Sequence, residues 1–373
     1  MKVYFINTSE DLSNATAKIM LSIASAVKSK GGLYKIYSSK GRSRVGHAFL
    51  SRLTDREGTF SSRSTRALLR DIAKFSPDIV HLSNLHGHYL NYKLLFEGLR
   101  SIGVPVVWSV HDLWPVTGHC AVPFDCDLWK NGCQKCHHID YYPRSWWANK
   151  SAQNFADKNM AFGLIRPTIV VASEYMKSSL ASSFLSSCNC QVIPNGVDTE
   201  TFHPVGKPKN DGKVKILGVA RNWESGKNQK FFDSLAYARP DWEITLVGRV
   251  NHNKYRSIKA LNYVYDSSEL TRIYSSADVF VNPSEFESFG MVVFEAMACG
   301  VPVVVNDKTA TKEFINDRVG RIVDFGNLEE AILAIKEAVK LNRKECAGYV
   351  SKHFSSADVA MRYFDLFCSV IEK

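Results

Sequence analysis

Short apolar runs rich in β-branched residues recur along the chain, separated by longer stretches of helical period. MKVYFIN at the start, PDIVHL at 77–82, VPVVWSV at 104–110 and PTIVVAS at 167–173 each read as a buried strand. Between the first two lies ATAKIMLSIASAVKSKGG, a periodic stretch that closes on Gly31-Gly32, the residue type expected just past a helix C-terminus. Strand, helix and strand in repetition predict a parallel sheet. The alternation pauses at VIPNGVDTETFHPVGKPKNDGK, where Pro194, Asn195, Gly196, Pro204, Gly206, Pro208 and Gly212 crowd together and predict a linker. It resumes with VKILGVA (214–220), WEITLVG (242–248), ADVFVNPS (277–284) and PVVVND (302–307), with helices that include KNQKFFDSLAYA and SELTRIYSSA. The pattern predicts an α/β protein of two doubly wound, Rossmann-like domains, 1–197 and 198–354, with a ligand at the carboxyl ends of the strands in the cleft between them. The segment 355–373, which contains SADVAMRYFDLFCSVIEK and has no strand after it, is a helix that can pack on either half and is expected back on the first.

Composition narrows this picture. A chain of 373 residues exceeds what one core usually supports, so two domains are the prior. No run approaches the roughly 18–20 apolar residues of a membrane span, and the opening apolar patch is too short for a signal peptide, so a cytoplasmic protein is expected. Without a secretory context the nine cysteines are expected to be reduced. The net charge of +10 is concentrated: residues 28–74 hold twelve Lys or Arg against Asp55, Glu57 and Asp71. Such a block implies an anionic partner or a solvated basic face.

The stretch EFESFGMVVFEAMACG (285–300) keeps two carboxylates, Glu287 and Glu295, among side chains that look like core. ADVFVNPS delivers the chain to the carboxyl edge of the second sheet, Glu287 then lies in a loop, and a short helix begins near Phe289 or Gly290. A helix N-terminus offers free N–H groups and a positive dipole end to a phosphate, and a glycine there removes a side chain from the approach. Glu295 is placed to accept hydrogen bonds from a sugar diol. In the preceding strand-to-helix loop, RNWESGKN, Arg221 and Lys227 can clamp a diphosphate, one by a fork of donors and the other as a point charge.

PSEFESFGMVVFEAMACGVPVV with its two spaced glutamates, Arg221 followed by Lys227, PNGVDTETFHP at the domain junction and SVHD at 109–112 together resemble the retaining GT-B glycosyltransferases of glycosyltransferase family four, over most of the chain and in the family's order. The resemblance implies a nucleotide-sugar donor. Arg221 and Lys227 would bind its diphosphate, Glu295 its ribose, and the backbone of Phe289, Gly290, Met291 and Val292 its phosphates. Glu287 would stand beside the donor sugar, with His111 reaching it from the first domain; both are the catalytic candidates, as positioning groups. No catalytic metal is implied, and Asp125-Cys-Asp127, though it matches the metal-binding Asp-x-Asp of another glycosyltransferase fold, lies among cysteines and reads as coincidence. Two other readings stand beside transfer: a GT-B epimerase or phosphorylase, and a catalytically silent sugar-nucleotide-binding subunit, against which the intact Arg221, Lys227, Glu287 and Glu295 argue.

The first loop departs from the family. NTSEDLSNATAKIM lacks the usual glycine-rich turn, and Asn14, Ala15 and Thr16 are expected to replace it, Asn14 taking an unusual backbone angle. An insertion near 111–143 holds Cys120, Cys126, Cys133 and Cys136, with His119, His137 and His138 adjacent; four thiols including a Cys-x2-Cys pair are expected to bind a structural zinc, unless they are simply reduced and partly buried. In the basic block, Arg63, Arg66 and Arg70 share one face of a helix, and Leu68, Leu69 and Ile72 lie on another. Bacterial capsule, O-antigen and exopolysaccharide enzymes of this type act on lipid-diphosphate-linked sugars. The resemblance therefore implies Arg52, Arg56, Arg63 and Arg66 as acceptor-phosphate ligands, Trp146 and Trp147 as interfacial anchors, and peripheral attachment to the anionic inner face of the cytoplasmic membrane. No nucleic-acid motif accompanies the charge.

Overall fold

The computed structural model describes residues 1–12, 14–39, 45–206, 212–223, 226–250 and 258–372. Lys40, Arg42 and Arg44 of the basic block, residues 207–211 of the linker, and Glu224 and Ser225 of the loop after VKILGVA lie outside the described residues. The chain divides into two units: residues 1–194 together with the chain from Val359 on, and Asn195–Asp358.

In the first unit the strands are β1 (Lys2–Ile6), β2 (Leu33–Tyr37), β3 (Ile79–Leu82), β4 (Val106–Ser109), β5 (Thr168–Val171) and β6 (Cys190–Val192). They form one parallel sheet in the order β2-β1-β3-β4-β5-β6. β3 and β4 are buried along their whole length, which is why IVHL and VVWS read as continuous apolar runs. The connecting helices are α1 (Ala15–Ser29), α2 (Val45–Thr54), α3 (Ser62–Phe75), α4 (Tyr92–Ile102), α5 (Ser151–Phe162) and α6 (Glu174–Ala181). Ile19, Met20, Ile23, Ala24 and Val27 of α1 pack in one core with Val3, Phe5, Ile79 and Val107 of the sheet.

The expectation for Asn14 is corrected here. Its backbone is ordinary extended chain (φ −105°, ψ 126°), and its side chain accepts the Thr16 N–H as the N-cap of α1. Asn is among the best caps because its side-chain oxygen satisfies one of the orphan donors of the first turn. Ala15 and Thr16 are already helical.

The second unit contains β7 (Lys215–Asn222), β8 (Glu243–Arg249), β9 (Ile258–Leu261), β10 (Val279–Asn282), β11 (Val303–Asn306) and β12 (Gly320–Val323), with α7 (Gln229–Ala238), α8 (Ser267–Ser275), α9 (Met291–Ala298), α10 (Leu328–Ala338) and α11 (Arg343–Phe354). Its parallel sheet runs β12-β11-β10-β7-β8-β9, the order of a dinucleotide-binding fold, with Phe231, Phe232 and Leu235 of α7 and Ala331 and Ile335 of α10 in the core beside Ile216 and Val279. Each sheet reverses its direction of winding once, between β1 and β3 in the first unit and between β7 and β10 in the second.

The last helix, α12 (Ser356–Ile371), belongs to the first unit for nearly its whole length. Val359, Tyr363, Leu366 and Phe367 enter the core of α1, β1 and β3, and the Phe367 ring lies 6.4 Å from that of Phe5 and 5.6 Å from that of His81. Tyr363 shares a hydrogen bond of 3.0 Å with the buried Ser109 hydroxyl. The Phe367 side chain is fully buried, so Phe367→Ala should cost about 3–5 kcal/mol, read as a lowered urea midpoint for the first unit. A loss below about 1 kcal/mol would mean that α12 is a dispensable tail.

Candidate functional site

The two loops that leave the second sheet at its reversal, after β7 and after β10, are tied together by backbone and side chain. The Glu285 N–H donates to the Gly226 carbonyl at 2.8 Å, and Lys227 Nζ donates to Glu287 Oε1 at 2.5 Å. Ala310 holds the Glu287 backbone through an N–H to its carbonyl at 3.1 Å. At the head of this site β7 slips register against β8 between Val219 and Asn222, and Arg221 stands exposed there. Gly248 of β8 makes the slip possible. Its φ is +118°, and a Cβ at that position would meet the Ala220 carbonyl oxygen at 1.8 Å.

Gly290 caps α9 in the left-handed region at φ +91°, and an added Cβ would stand 2.7 Å from Thr311 Oγ1. That hydroxyl donates to the Phe289 carbonyl at 2.9 Å, fixing the turn from the other side. The Phe289 ring is buried and stacked on Phe294 at 4.1 Å, so Phe289 has only its backbone to offer a ligand. As the first helical residues, Met291 and Val292 have N–H groups without intrahelical acceptors. Glu295 is buried in α9, where Oε2 accepts the Tyr274 hydroxyl at 3.0 Å. Burial first, and the Glu295 carboxylate second, push the Tyr274 pKa well above its ordinary value, so Tyr274 remains a donor. A cation at the end of β7, a second in the loop after it and the start of α9 thus belong to one edge of the sheet, an arrangement suited to a diphosphate.

In the first unit the loops after β1, β3 and β4 are likewise bonded together. Asn7 Oδ1 accepts the Asn84 N–H at 3.3 Å, and the Thr8 hydroxyl reaches the carbonyls of Asn84 and His86. His111, half-buried after β4, shares a 3.1 Å hydrogen bond between Nε2 and the Ser83 hydroxyl. Desolvation lowers its pKa to about 4, with His86 acting in the same sense against the opposing Asp112, so His111 is neutral at pH 7. Beside it, His86 Nε2 lies 2.8 Å from Asp112 Oδ2, His86 Nδ1 lies 2.8 Å from the Tyr142 hydroxyl, and Asp112 Oδ1 accepts the Trp114 N–H. Sequence reasoning missed His86, Tyr142 and Tyr274. Asp112 was visible as the last residue of SVHD, but its partner lies in a different loop. Glu57 was also hidden: its carboxylate accepts the N–H groups of Gly87 and His88 and pairs with the His88 ring. Burial opposes that charge, yet these donors outweigh it and hold the carboxyl below its usual range.

The four arginines assigned to the acceptor separate into two kinds. Arg56 is engaged inside the unit, donating to Asn154 Oδ1 at 3.0 Å and Asp157 Oδ2 at 2.5 Å. Arg52, Arg63 and Arg66 are exposed, the latter two on α3 opposite the buried Leu68 and Ile72. The Arg52 carbonyl accepts the Trp146 N–H at 2.9 Å, and the Trp146 ring meets Phe49 of α2 at 5.2 Å and Trp147 at 5.6 Å. Val45, Phe49 and Trp147 are more than half exposed. No helix among the described residues is long and apolar enough to cross a membrane. In the Cys-rich insertion Asp125 and Asp127 are exposed, Asp127 pairing with Lys130 at 2.7 Å, and neither lies at a strand end.

Two family models divide most of the chain between them: Glycosyltransferase Family 4 matches residues 27–201, and Glycosyl transferases group 1 matches residues 206–352. The putative colanic acid biosynthesis glycosyl transferase WcaC of Escherichia coli K12 is 26% identical over 287 residues, which are 73% of this chain and 68% of that protein. The N,N'-diacetylbacillosaminyl-diphospho-undecaprenol alpha-1,3-N-acetylgalactosaminyltransferase of Campylobacter jejuni is 27% identical over 207 residues, 49% of this chain and about half (55%) of the relative. Among solved structures, Anabaena Alr3699/HepE in complex with UDP-glucose superposes with a TM-score of 0.64 at 14% identity, covering 99% of this chain and 100% of that one. With both family domains in order on two doubly wound parallel sheets, the chain is a GT-B glycosyltransferase of glycosyltransferase family four.

Proposed function

We propose that this protein is a retaining, metal-independent glycosyltransferase that moves a sugar from a nucleotide-sugar donor to a lipid-diphosphate-linked glycan at the inner face of the cytoplasmic membrane, in the synthesis of a surface polysaccharide. The observation that carries this reading is the Lys227–Glu287 contact at the reversal of the second sheet, beside exposed Arg221 and the Gly290 turn into α9. In this reading Arg221, Lys227 and the backbone of Phe289, Gly290, Met291 and Val292 hold the donor diphosphate. Glu295, fixed by Tyr274, takes the ribose hydroxyls, and Glu287 positions the donor sugar. The sugar–phosphate bond breaks as these donors stabilise the charge growing on the leaving diphosphate. The acceptor hydroxyl forms its bond to the anomeric carbon on the face the diphosphate leaves, and its proton passes to a departing phosphate oxygen, so configuration is retained. His111 serves as a neutral positioning group for the acceptor side.

The acceptor assignment is supported by the Campylobacter relative, whose name gives a diphospho-undecaprenol acceptor, and the donor by the UDP-glucose bound in the Anabaena structure. Arg52, Arg63 and Arg66 are the acceptor-phosphate ligands in this reading. Arg56 is left out because its guanidinium is already held by Asn154 and Asp157. The exposed Val45, Phe49, Trp146 and Trp147, adjacent to Arg52, suit a lipid interface, where aromatic rings sit at headgroup depth and cations meet anionic lipid.

Lys227→Ala and Arg221→Ala should each abolish transfer with the unfolding midpoint nearly unchanged, since both are edge cations rather than core. Turnover should persist in a short assay with free Mg²⁺ and Mn²⁺ chelated, and product NMR should show the donor's anomeric configuration. Normal turnover in both variants, or an inverted product, would overturn the proposal.

An Arg63→Ala/Arg66→Ala double variant should raise the acceptor KM and weaken binding to anionic vesicles while the donor Kd stays nearly constant. Each basic residue at such a surface contributes about 1 kcal/mol, and salt screens it, so raising the ionic strength should mimic the variant. Equal shifts in donor and acceptor constants would assign the block to folding instead.

A further inference from the structure

Between Asp112 and Lys150 the chain has no strand or α-helix, only the short 3-10 turns Trp114–Val116 and Leu128–Asn131. Among the described residues no three His, Cys, Asp or Glu side chains are grouped to hold a metal ion, so the zinc expected at Cys120, Cys126, Cys133 and Cys136 has no assembled site. Hydrogen bonds fasten the loop: His119 Nδ1 lies 2.5 Å from Asp55 Oδ1, and Lys158 Nζ donates to the carbonyls of Trp114 at 2.6 Å and Thr117 at 2.9 Å. One further bond fixes a side chain that folding leaves outside. Tyr142 is 54% exposed, yet its hydroxyl is turned onto His86, which is 6% exposed. We propose that Tyr142 is the platform on which the pyranose ring of the acceptor rests, held rigid by the His86–Asp112 pair beneath it.

First, the ring is reversed. An exposed tyrosine ordinarily lays its apolar body on the protein and leaves its hydroxyl in water. Here the polar tip is the anchored end. Burial opposes the Asp112 charge, but His86 and the Trp114 N–H outweigh it and hold that carboxyl below its usual range, which makes it the acceptor of the pair. Neutral His86 then carries its proton on Nε2, toward Asp112 Oδ2 at 2.8 Å, and its Nδ1 accepts the Tyr142 hydroxyl at 2.8 Å. A tyrosine at a lipid interface sets its hydroxyl among the headgroups, the opposite arrangement.

Second, the ring is rigid. The His86 N–H donates to Asn84 Oδ1 at 3.2 Å, its carbonyl accepts the Thr8 hydroxyl at 2.7 Å, and its ring packs 5.6 Å from that of Trp114 and 5.2 Å from that of Tyr142. The Tyr142 carbonyl accepts the Ala121 N–H at 2.9 Å, so backbone and tip are both fixed. A ring ordered before binding loses little freedom when a sugar lies against it, and a flat aromatic face suits the C–H face of a pyranose.

Third, the ring is in the right place. His86 follows β3 and Asp112 follows β4, so Tyr142 is tethered at the carboxyl edge of the first sheet, to the loops that hold His111. Four residues beyond it, the Trp146 N–H is bonded to the Arg52 carbonyl. The Cα atoms of Tyr142 and Trp146 are at most about 14 Å apart, the scale of a sugar joined to a diphosphate. The inference rests on the proposed reading, in which Arg52 takes the acceptor's phosphates, and it puts the sugar next to them on Tyr142.

Saturation-transfer NMR on the full-length protein with methyl glucoside, galactoside, mannoside and N-acetylglucosaminide should show saturated ring C–H protons for at least one of them. Tyr142→Ala should weaken that binding roughly tenfold, the scale of losing an aromatic anchor, with the unfolding midpoint unchanged. Tyr142→Phe, which keeps the ring, should stay within about threefold of wild type. Should Tyr142→Ala fail to fold, Tyr142→Leu, apolar but without a flat face, is read in the same way. Saturation needs no turnover, so Tyr142-dependent binding in a protein that transfers nothing would count against the transfer reading and not against the platform. No saturation in the wild-type protein, undiminished binding in Tyr142→Ala, or a loss in Tyr142→Phe as large as in Tyr142→Ala would each overturn the proposal. Undiminished sugar binding together with weaker binding of Tyr142→Ala to phosphatidylglycerol vesicles would make Tyr142 a membrane contact instead.

Discussion

A doubly wound parallel sheet opens a ligand site where its winding reverses, because there the neighbouring strands send their helices to opposite faces and the two loops diverge. Everything in the second unit follows from that constraint. β7 and β10 are adjacent; Arg221 stands at the carboxyl end of β7, and the loops after the two strands carry Lys227, Glu287 and Gly290. The register slip that exposes Arg221 needs Gly248, and the turn into α9 needs Gly290, so two backbone positions without a Cβ set where the cations stand. The first unit obeys the same rule with a different strand order. Its reversal lies between β1 and β3, where Asn7 and Thr8 are bonded to Asn84 and His86.

Carboxylates survive inside EFESFGMVVFEAMACG because each has a donor from elsewhere in the unit. Glu287 takes Lys227 from the β7 loop, and Glu295 takes the Tyr274 hydroxyl from α8. Glu295 is buried, and a buried carboxylate without such a donor costs several kcal/mol; Glu287 is only partly buried, so its pair with Lys227 joins two loops at little cost to the fold when Lys227 is removed. The second pair also fixes the polarity of the bond, since burial keeps Tyr274 protonated.

How much of this was legible in the sequence depended on burial. The fully buried strands β3, β4, β10 and β11 announced themselves as β-branched runs, and the loop motifs after β7 and β10 could be read directly. β2, β6 and β9 could not. They contribute few fully buried residues, and LYKIY, CQV and IKAL show neither an apolar run nor a clean alternation. Asn14 was read as a turn residue when its side chain is an N-cap, a distinction that depends on the position of the first helical residue. The packing of α12 was undecidable from its own periodicity, because an amphipathic face does not name its host.

The basic block shows the same limit for charge. Counting cations along 28–74 treats them as one field, yet the structure divides them by partners far away in sequence. Arg56 reaches Asn154 and Asp157, Lys93 joins the same Asp157 at 2.8 Å, and Lys35 pairs with Asp71. Asp157 thereby anchors α5 to the segment before α3 and to α4, and its carboxyl is held below the usual range, burial working against the two cations that lower it. What remains for an external anion on α2 and α3 includes the exposed Arg52, Arg63, Arg66 and Arg70, of which Arg52 is bonded through its carbonyl to Trp146, whose ring meets Phe49 and Trp147. A cation already paired inside the fold loses that pairing energy if it turns outward, whereas one left in solvent gives up only hydration and screening. In the proposed reading, recognition therefore falls to the exposed arginines, while Arg56 is held inside the unit by Asn154 and Asp157.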